Sequence, residues 1–311
     1  MTHAATTFFQ RPLVRFGLRV VVSITALVGV AACGNDDEHP RRRTTIRRPA
    51  TMTTSDDAPP SLTRAQPHVA LLELQRPAAA NRLQPDDLAT LLEHLDAVER
   101  DVDVHALVLA SRGPHFCTGY DLRSLVGDLA TGDASARGES AFEAVAERLA
   151  AIRVVTVVAI QGAVMGGATD LALACDLRIG TAESELQMPA ARFGLPLYAG
   201  ALERYVNRLG LDQAKRLLLL AEKIDAAEMR RIGFLHELVS AEGLRRRALE
   251  LAVTAAAMPP GPLAAMKQVL NAAAVGQGTA AAQRQALAAA YDPRRIAATI
   301  ATLRDRRDDP A

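Results

Sequence analysis

One stretch, Val154 to Gly180 (VVTVVAIQGAVMGGATDLALACDLRIG), limits what this chain can fold into more than any other. It opens on a β-branched apolar run, Val154 to Ile160, with the length and composition of a buried strand. Gln161-Gly162 breaks the run, and the pair Gly166-Gly167 permits close backbone approach with exposed N–H groups. From Ala168 the pattern is that of a short apolar helix through Leu171, Ala172, Leu173, Ala174 and Cys175. Asp176 ends it, and a second strand, Leu177 to Gly180, follows. Strand, glycine pair and helix N-terminus together aim amide dipoles at developing negative charge. Phosphate-binding loops use the same logic. Here, however, no Lys-Ser/Thr follows the glycines and no G-x-G-x-x-G is present, which excludes a Walker loop and the dinucleotide fingerprint.

A second segment narrows the function. Ser111 to Leu122 (SRGPHFCTGYDL) directly follows an apolar strand expected over Val104 to Ala110. Together the segments resemble the enoyl-CoA hydratase/isomerase (crotonase) family. The pattern of that family is a strand, then G-x-x-F-C-A-G-x-D-L, and after an interval N-G-x-A-x-G-G-G-x-E-L-A-L-A-C-D-x-R-I-A. The chain supplies Phe116-Cys117-Thr118-Gly119-Tyr120-Asp121-Leu122 for the first and Gln161 through Gly180 for the second. The resemblance begins near His68 and runs to the C-terminus. It implies an α/β fold, a crotonase-type spiral of ββα units over 67–255, followed by a helical oligomerisation region over 256–311. It also implies an acyl-CoA thioester substrate whose coenzyme A is part of the substrate, with no separate cofactor or metal. The Ala-rich C-terminal helices resemble those that build the family's homotrimers and dimers of trimers.

The same resemblance assigns roles. Thioester chemistry through an enolate needs two fixed donors in a dry site, and by the family's pattern these are the backbone N–H groups of Tyr120 and Gly167. Gly166 lies beside them as a substrate-binding residue. The turn Arg76-Pro77-Ala78-Ala79-Ala80-Asn81 resembles the family's R-P-x-A-x-N, which places Ala79 and Asn81 against coenzyme A. Family hydratases add two glutamates. The first falls on Asp170, one methylene shorter, which withdraws the carboxylate by roughly 1–1.5 Å. The second falls on Ala190, a substrate-binding position after Gln187-Met188-Pro189 that holds no proton. The loop Gly194 to Ala201 also departs from the family's G-x-x-P-G-x-G-G. Tyr120, Tyr198, Arg192 and His115 are the groups available to substitute. Cys117 sits where the family often has cysteine, Cys175 reads as core, and no His/Cys/Asp/Glu cluster has metal-ligand spacing. Two functional classes stay open: a hydratase, isomerase or lyase using Asp170, and a catalytically silent acyl-CoA-binding subunit.

Composition excludes other partners. The formal net charge is +1, so nothing overall suggests nucleic acid; the basic residues are almost all arginine, with lysine only at 215, 223 and 267, and there is no cationic tail beyond the N-terminal segment. Three cysteines, Cys33, Cys117 and Cys175, give no disulfide framework, which suits a reducing compartment. Residues 1–66 read as an extension: Arg11, Arg15 and Arg19 precede the apolar run Val20 to Ala32 and the small residues before Cys33, in the manner of a bacterial lipoprotein signal. That reading anchors an exported protein to a membrane through Cys33. The alternative is a start at Met52 and a cytoplasmic location. Asn35 to Pro60 reads as disordered. Further on, Pro85 with Asp86 and Asp87 opens a helix, and His94 on it reads as solvated. Gly127 to Ser140 reads as a mobile stretch, Phe142 to Ile152 as a helix, the chain up to Arg204 as a loop, and everything from Leu209 onward as helical, with Asp225 capping a helix that ends at Gly233.

Overall fold

The computed structural model of the chain describes residues 57–130 and 134–308. The signal-like stretch, Cys33 and Met52 lie outside them. The strands in chain order are β1 (Ala58–Gln66), β2 (Val69–Gln75), β3 (Ala106–Ser111), β4 (Val155–Ile160), β5 (Ala163–Met165), β6 (Leu177–Gly180), β7 (Glu185–Gln187), β8 (Lys223–Asp225) and β9 (Glu237–Leu238). The helices are α1 (Pro85–Arg100), α2 (Leu122–Ala130), α3 (Ala134–Ala151), α4 (Gly167–Ala174), α5 (Ala199–Leu209), α6 (Leu211–Leu219), α7 (Ala226–Arg231), α8 (Leu244–Ala256), α9 (Pro260–Ala274), α10 (Ala280–Ala289) and α11 (Pro293–Asp308).

A six-stranded sheet runs β1-β2-β3-β4-β6-β9, with β1 antiparallel to β2 and every later neighbour parallel. A small sheet, β5-β7-β8, lies beside it. The central strands are buried at nearly every position because both faces are covered, with Glu73, Thr156 and Arg178 the polar exceptions. Alternate residues go to opposite sides: Leu72, Leu74, Leu107, Leu109, Val158 and Ile160 join the core built with α1, α3 and α4. Leu71, Val108, Val157 and Ile179 meet α8 through Leu244, Ala248, Ala252 and Ala256, a stripe of mostly small residues that lets the helix lie close to the sheet. Asp176, just past α4, accepts hydrogen bonds from the Thr156 N–H (2.8 Å), the Thr156 hydroxyl (3.0 Å) and the buried Lys267 ammonium of α9 (2.8 Å). Lys267 also reaches the Val154 carbonyl at 2.9 Å, so both strands of the glycine-pair unit are pinned at their N-terminal ends.

Five expectations need correction. Residues 58–66 are not part of an extension but form β1, paired with β2. Pro59, Pro60 and the mixed Ser/Thr/Arg composition conceal it, because a solvated edge strand tolerates proline and shows little apolar alternation. The stretch 127–140 is helical in α2 and α3 wherever it is described. The loop expected up to Arg204 ends at Tyr198, since Ala201, Tyr205 and Leu209 recur every four residues and bury one face of α5 despite Gly200. His94 is not merely solvated: its Nε2 bonds the Pro60 carbonyl at 2.9 Å and ties α1 to β1. The strand expected from Val104 begins at Ala106. The expected cap at Asp225 is present, its carboxylate accepting from the Glu228 N–H at 2.9 Å. No helix among the described residues is long and apolar enough to cross a membrane.

Candidate active site

Two loops that are far apart in sequence are stitched together at the end of β5. Phe116 and Cys117 donate their N–H groups to the Ala163 carbonyl at 3.1 and 3.2 Å, and Met165 donates to the Cys117 carbonyl at 2.9 Å. Leu83 holds the same loop from the other side, donating to Gly119 O at 2.8 Å and accepting from the Asp121 N–H at 2.9 Å. Gly119 has φ +89°, and a Cβ there would lie 2.8 Å from the Met165 carbonyl oxygen and 3.1 Å from the Gly167 nitrogen. Only glycine allows this approach, which brings the backbone entering Tyr120 against the start of α4. Gly167 is the first residue of α4, so its N–H has no intrahelical acceptor. A Cβ on Gly167 would sit 2.6 Å from the Phe142 ring, so α3 also packs directly on this glycine.

A cavity of about 230 Å³ opens over this junction. Tyr120, Gly166 and Gly167 line it at the junction, and its walls include Leu125, Phe142, Met188 and Leu197. Ala190, the first residue of a 3-10 turn over Ala190–Phe193, also lines it. Among the described residues no Asp, Glu, Lys, Arg or His side chain lines it; Thr118, Tyr120 and Tyr198 supply the hydroxyls. The Thr118 hydroxyl donates to the Ala80 carbonyl at 3.3 Å.

Asp170 stands in the first turn of α4 and is fully buried. It does not line the cavity but lies behind Tyr198, which does. Arg204 of α5 donates to it from Nε at 2.8 Å and from a terminal nitrogen at 2.7 Å, and the Tyr198 hydroxyl donates at 2.5 Å. Beside this cluster the Tyr205 and Thr169 hydroxyls share a 2.6 Å hydrogen bond. Burial pushes the Tyr198 phenol well above its ordinary range, and the charge and hydrogen bond of Asp170 add to the effect. Burial works against the charge of Arg204, but its partnership with Asp170 outweighs this and raises its pKa. Sequence reasoning missed Arg204. The available signal was the need of a buried carboxylate for a cation, together with a position beside Tyr205 on the buried face of α5.

The other expected residues fall elsewhere. Asn81 is buried with φ +52°. Its Oδ1 accepts from the Arg76 N–H at 2.8 Å and its Nδ2 donates to the Arg112 and His115 carbonyls at 2.8 and 2.9 Å. The amide is thus used in clamping the 76–81 turn to the 112–115 loop. Ala79 closes the short 3-10 turn Pro77–Ala79 and, like Asn81, is not part of the cavity wall. His115 accepts from the Ala163 N–H at 3.2 Å, and Arg192 donates to the Ala221 carbonyl at 3.1 Å, so both serve the scaffold. Burial pushes the thiols of Cys117 and Cys175 up to about 12, which leaves neither as a thiolate nucleophile at neutral pH. Among the described residues no group of three His, Cys, Asp or Glu side chains is placed to hold a metal ion.

Comparison with known proteins places this geometry. The profile of the enoyl-CoA hydratase/isomerase family matches residues 64–293. YngF of Bacillus subtilis, named for enoyl-CoA hydratase/isomerase, is 31% identical over 205 residues, covering 66% of this chain and 78% of that protein. The 2,3-dehydroadipyl-CoA hydratase of Escherichia coli is 28% identical over 206 residues, with coverages of 66% and 79%. Among solved structures, an enoyl-CoA hydratase from Bacillus anthracis superposes with a TM-score of 0.72 at 25% identity, covering 80% of this chain and 97% of that one. With its paired glycine loops over an apolar cavity and a profile match across most of its length, the chain belongs to the enoyl-CoA hydratase/isomerase family and has the crotonase fold.

Proposed function

We propose that the cavity takes the acyl part of an acyl-CoA thioester and that the N–H groups of Tyr120 and Gly167 hold the thioester oxygen as it gains enolate charge. The observation that carries this reading is the approach of Gly119 to the Gly167 nitrogen, which sets two backbone segments side by side beneath an apolar wall. Donors fixed in a dry site cost no reorganisation when charge develops. Gly166, Ala79 and Asn81 shape the surrounding backbone. Asp170 is the one carboxylate of the cluster and acts through Tyr198: the phenol takes a proton on the cavity side while its own proton passes to Asp170. No separate cofactor enters this scheme. An engineered apolar cavity of about 150 Å³ accepts benzene, so this one has room for an uncharged acyl chain of short to medium length. Coenzyme A thioesters also fit a cytoplasmic location better than export through Cys33.

A chromophoric probe tests the oxyanion assignment without turnover. The absorption of 4-(dimethylamino)cinnamoyl-CoA is expected to shift to longer wavelength on binding, because donors at the thioester oxygen polarise the conjugated system. Gly119→Ala forces a side chain into the gap at positive φ, which costs of order 1–3 kcal/mol, and is expected to abolish the shift. Binding with no shift in the wild type would overturn the assignment.

The silent acyl-CoA-binding reading is favoured by the methyl group of Ala190 and by the full engagement of Asp170 with Arg204 and Tyr198. Mass spectrometry of a panel of acyl-CoAs after incubation separates the two, since the silent form returns every thioester unchanged. The exposed apolar residues Met266, Leu270, Leu287, Ile296 and Ile300 on α9, α10 and α11 support packing against further copies of the chain as a trimer or dimer of trimers. Light scattering at micromolar concentration is expected to give a multiple of three chain masses, and a monomer would overturn this.

A further inference from the structure

We propose that Tyr198 is a hydrogen-bond acceptor of fixed polarity on the cavity wall, so that the site selects acyl groups bearing a hydroxyl over those bearing a carbonyl at the same carbon. This rests on the assignment of the cavity to the acyl group. A phenol has one proton to give, and an ionised carboxylate only accepts. Bidentate pairing with the Arg204 guanidinium marks Asp170 as a carboxylate. The 2.5 Å bond from Tyr198 to Asp170 therefore uses the phenol's only proton. Arg204 has donors alone and so cannot release that proton by accepting it. Arg204 also hydrogen-bonds the phenol oxygen, so what Tyr198 keeps for the cavity it lines is acceptor capacity and no donor.

The remaining surroundings sharpen the effect. Among the described residues no charged side chain lines the cavity, and Thr118 already spends its proton on Ala80. A ligand hydroxyl that reaches Tyr198 replaces a lost water with a fixed acceptor. A ketone oxygen placed against Tyr198 meets lone pairs instead of a donor and forgoes the hydrogen bond that the hydroxyl makes there, the costly side of hydrogen-bond exchange. Asp170 and Arg204 are positioning residues in this arrangement: they touch no ligand, and they set which way the phenol's proton points.

Calorimetric titration at 25 °C with matched acyl-CoA pairs tests the inference, using hexanoyl-CoA and its hydroxy and oxo derivatives at carbon 3, 4 or 5. At one of these carbons the hydroxy thioester is expected to bind at least about tenfold more tightly than the oxo thioester. In Tyr198→Phe the ratio falls to about one. In Asp170→Asn the new amide can donate to the phenol oxygen, the phenol's proton is free to turn to the cavity, and the ratio moves toward the oxo thioester. A purely structural role for Asp170 would lower both affinities and leave their ratio alone. Equal affinities at all three carbons, or a ratio that Tyr198→Phe leaves standing, overturn the proposal. If hexanoyl-CoA binds and no hydroxyl preference exists, the proposal alone fails; if no thioester binds, the acyl-CoA reading fails with it.

Discussion

Asp170→Asn is expected to lower turnover of whichever acyl-CoA the protein converts by at least about 100-fold, the scale of a lost acid–base group. The amide has nearly the same shape but takes up no proton at neutral pH, so the loss appears in kcat rather than KM. The structure adds a second expectation. Arg204 is only 14% exposed and Asp170 is its counter-charge, so the substitution leaves a largely buried cation unpaired. Removing one partner of a buried pair costs about 3 kcal/mol, which for a domain of this size lowers Tm by roughly 6–12 °C. Adding Arg204→Met to Asp170→Asn removes the orphaned charge and is expected to recover part of that stability, because the two sites are directly coupled. Turnover kinetics and thermal melting of the two variants check both halves. Undiminished turnover in the folded single variant would remove Asp170 from the chemistry.

Ala190→Glu is expected to raise hydration of crotonyl-CoA by at least about 100-fold. The methyl group of Ala190 lines the cavity at the start of a short turn, so a longer side chain there has space to enter rather than core to displace. It would restore the carboxylate that resembling hydratases carry at this position, across an otherwise intact apolar wall. Rate measurements on the purified variant decide the matter. A large gain means that the oxyanion junction is competent and that the natural reaction is one needing a single carboxylate. No gain in a folded variant means that Tyr120 and Tyr198 have reshaped the cavity beyond repair by one group.

Much of this site is legible in the amino-acid order because its parts are local. The strand, glycine pair, helix and strand from Val155 to Gly180 fall within a residue of where apolar periodicity and glycine placement put them. The two glycine loops were expected to cooperate, and Gly119 touches Gly167. What escaped is non-local or solvated. Arg204 and Asp170 are 34 residues apart, and no periodicity announces an ion pair across that separation. Asn81 was expected to lie against coenzyme A through the backbone of its turn; the use of its amide on Arg76, Arg112 and His115 was not foreseen, because only the folded chain assembles those partners. β1 was hidden because an edge strand needs few apolar residues, and its prolines suggest a linker. The start of α5 was hidden by Gly200, although the four-residue spacing of Ala201, Tyr205 and Leu209 was available.

The strand order has a consequence for how the protein is made. In the large sheet, β1-β2-β3-β4-β6-β9, every strand pairs with one synthesised before it, and the small sheet, β5-β7-β8, obeys the same rule. Domains tend to fold N-terminal part first as synthesis proceeds. Here each emerging strand meets a finished edge, and no early strand has to wait unpaired for a partner at the far end of the chain. A nascent chain can therefore build this parallel sheet by addition at one side, which shortens the time for which sticky apolar edges are open to neighbouring chains.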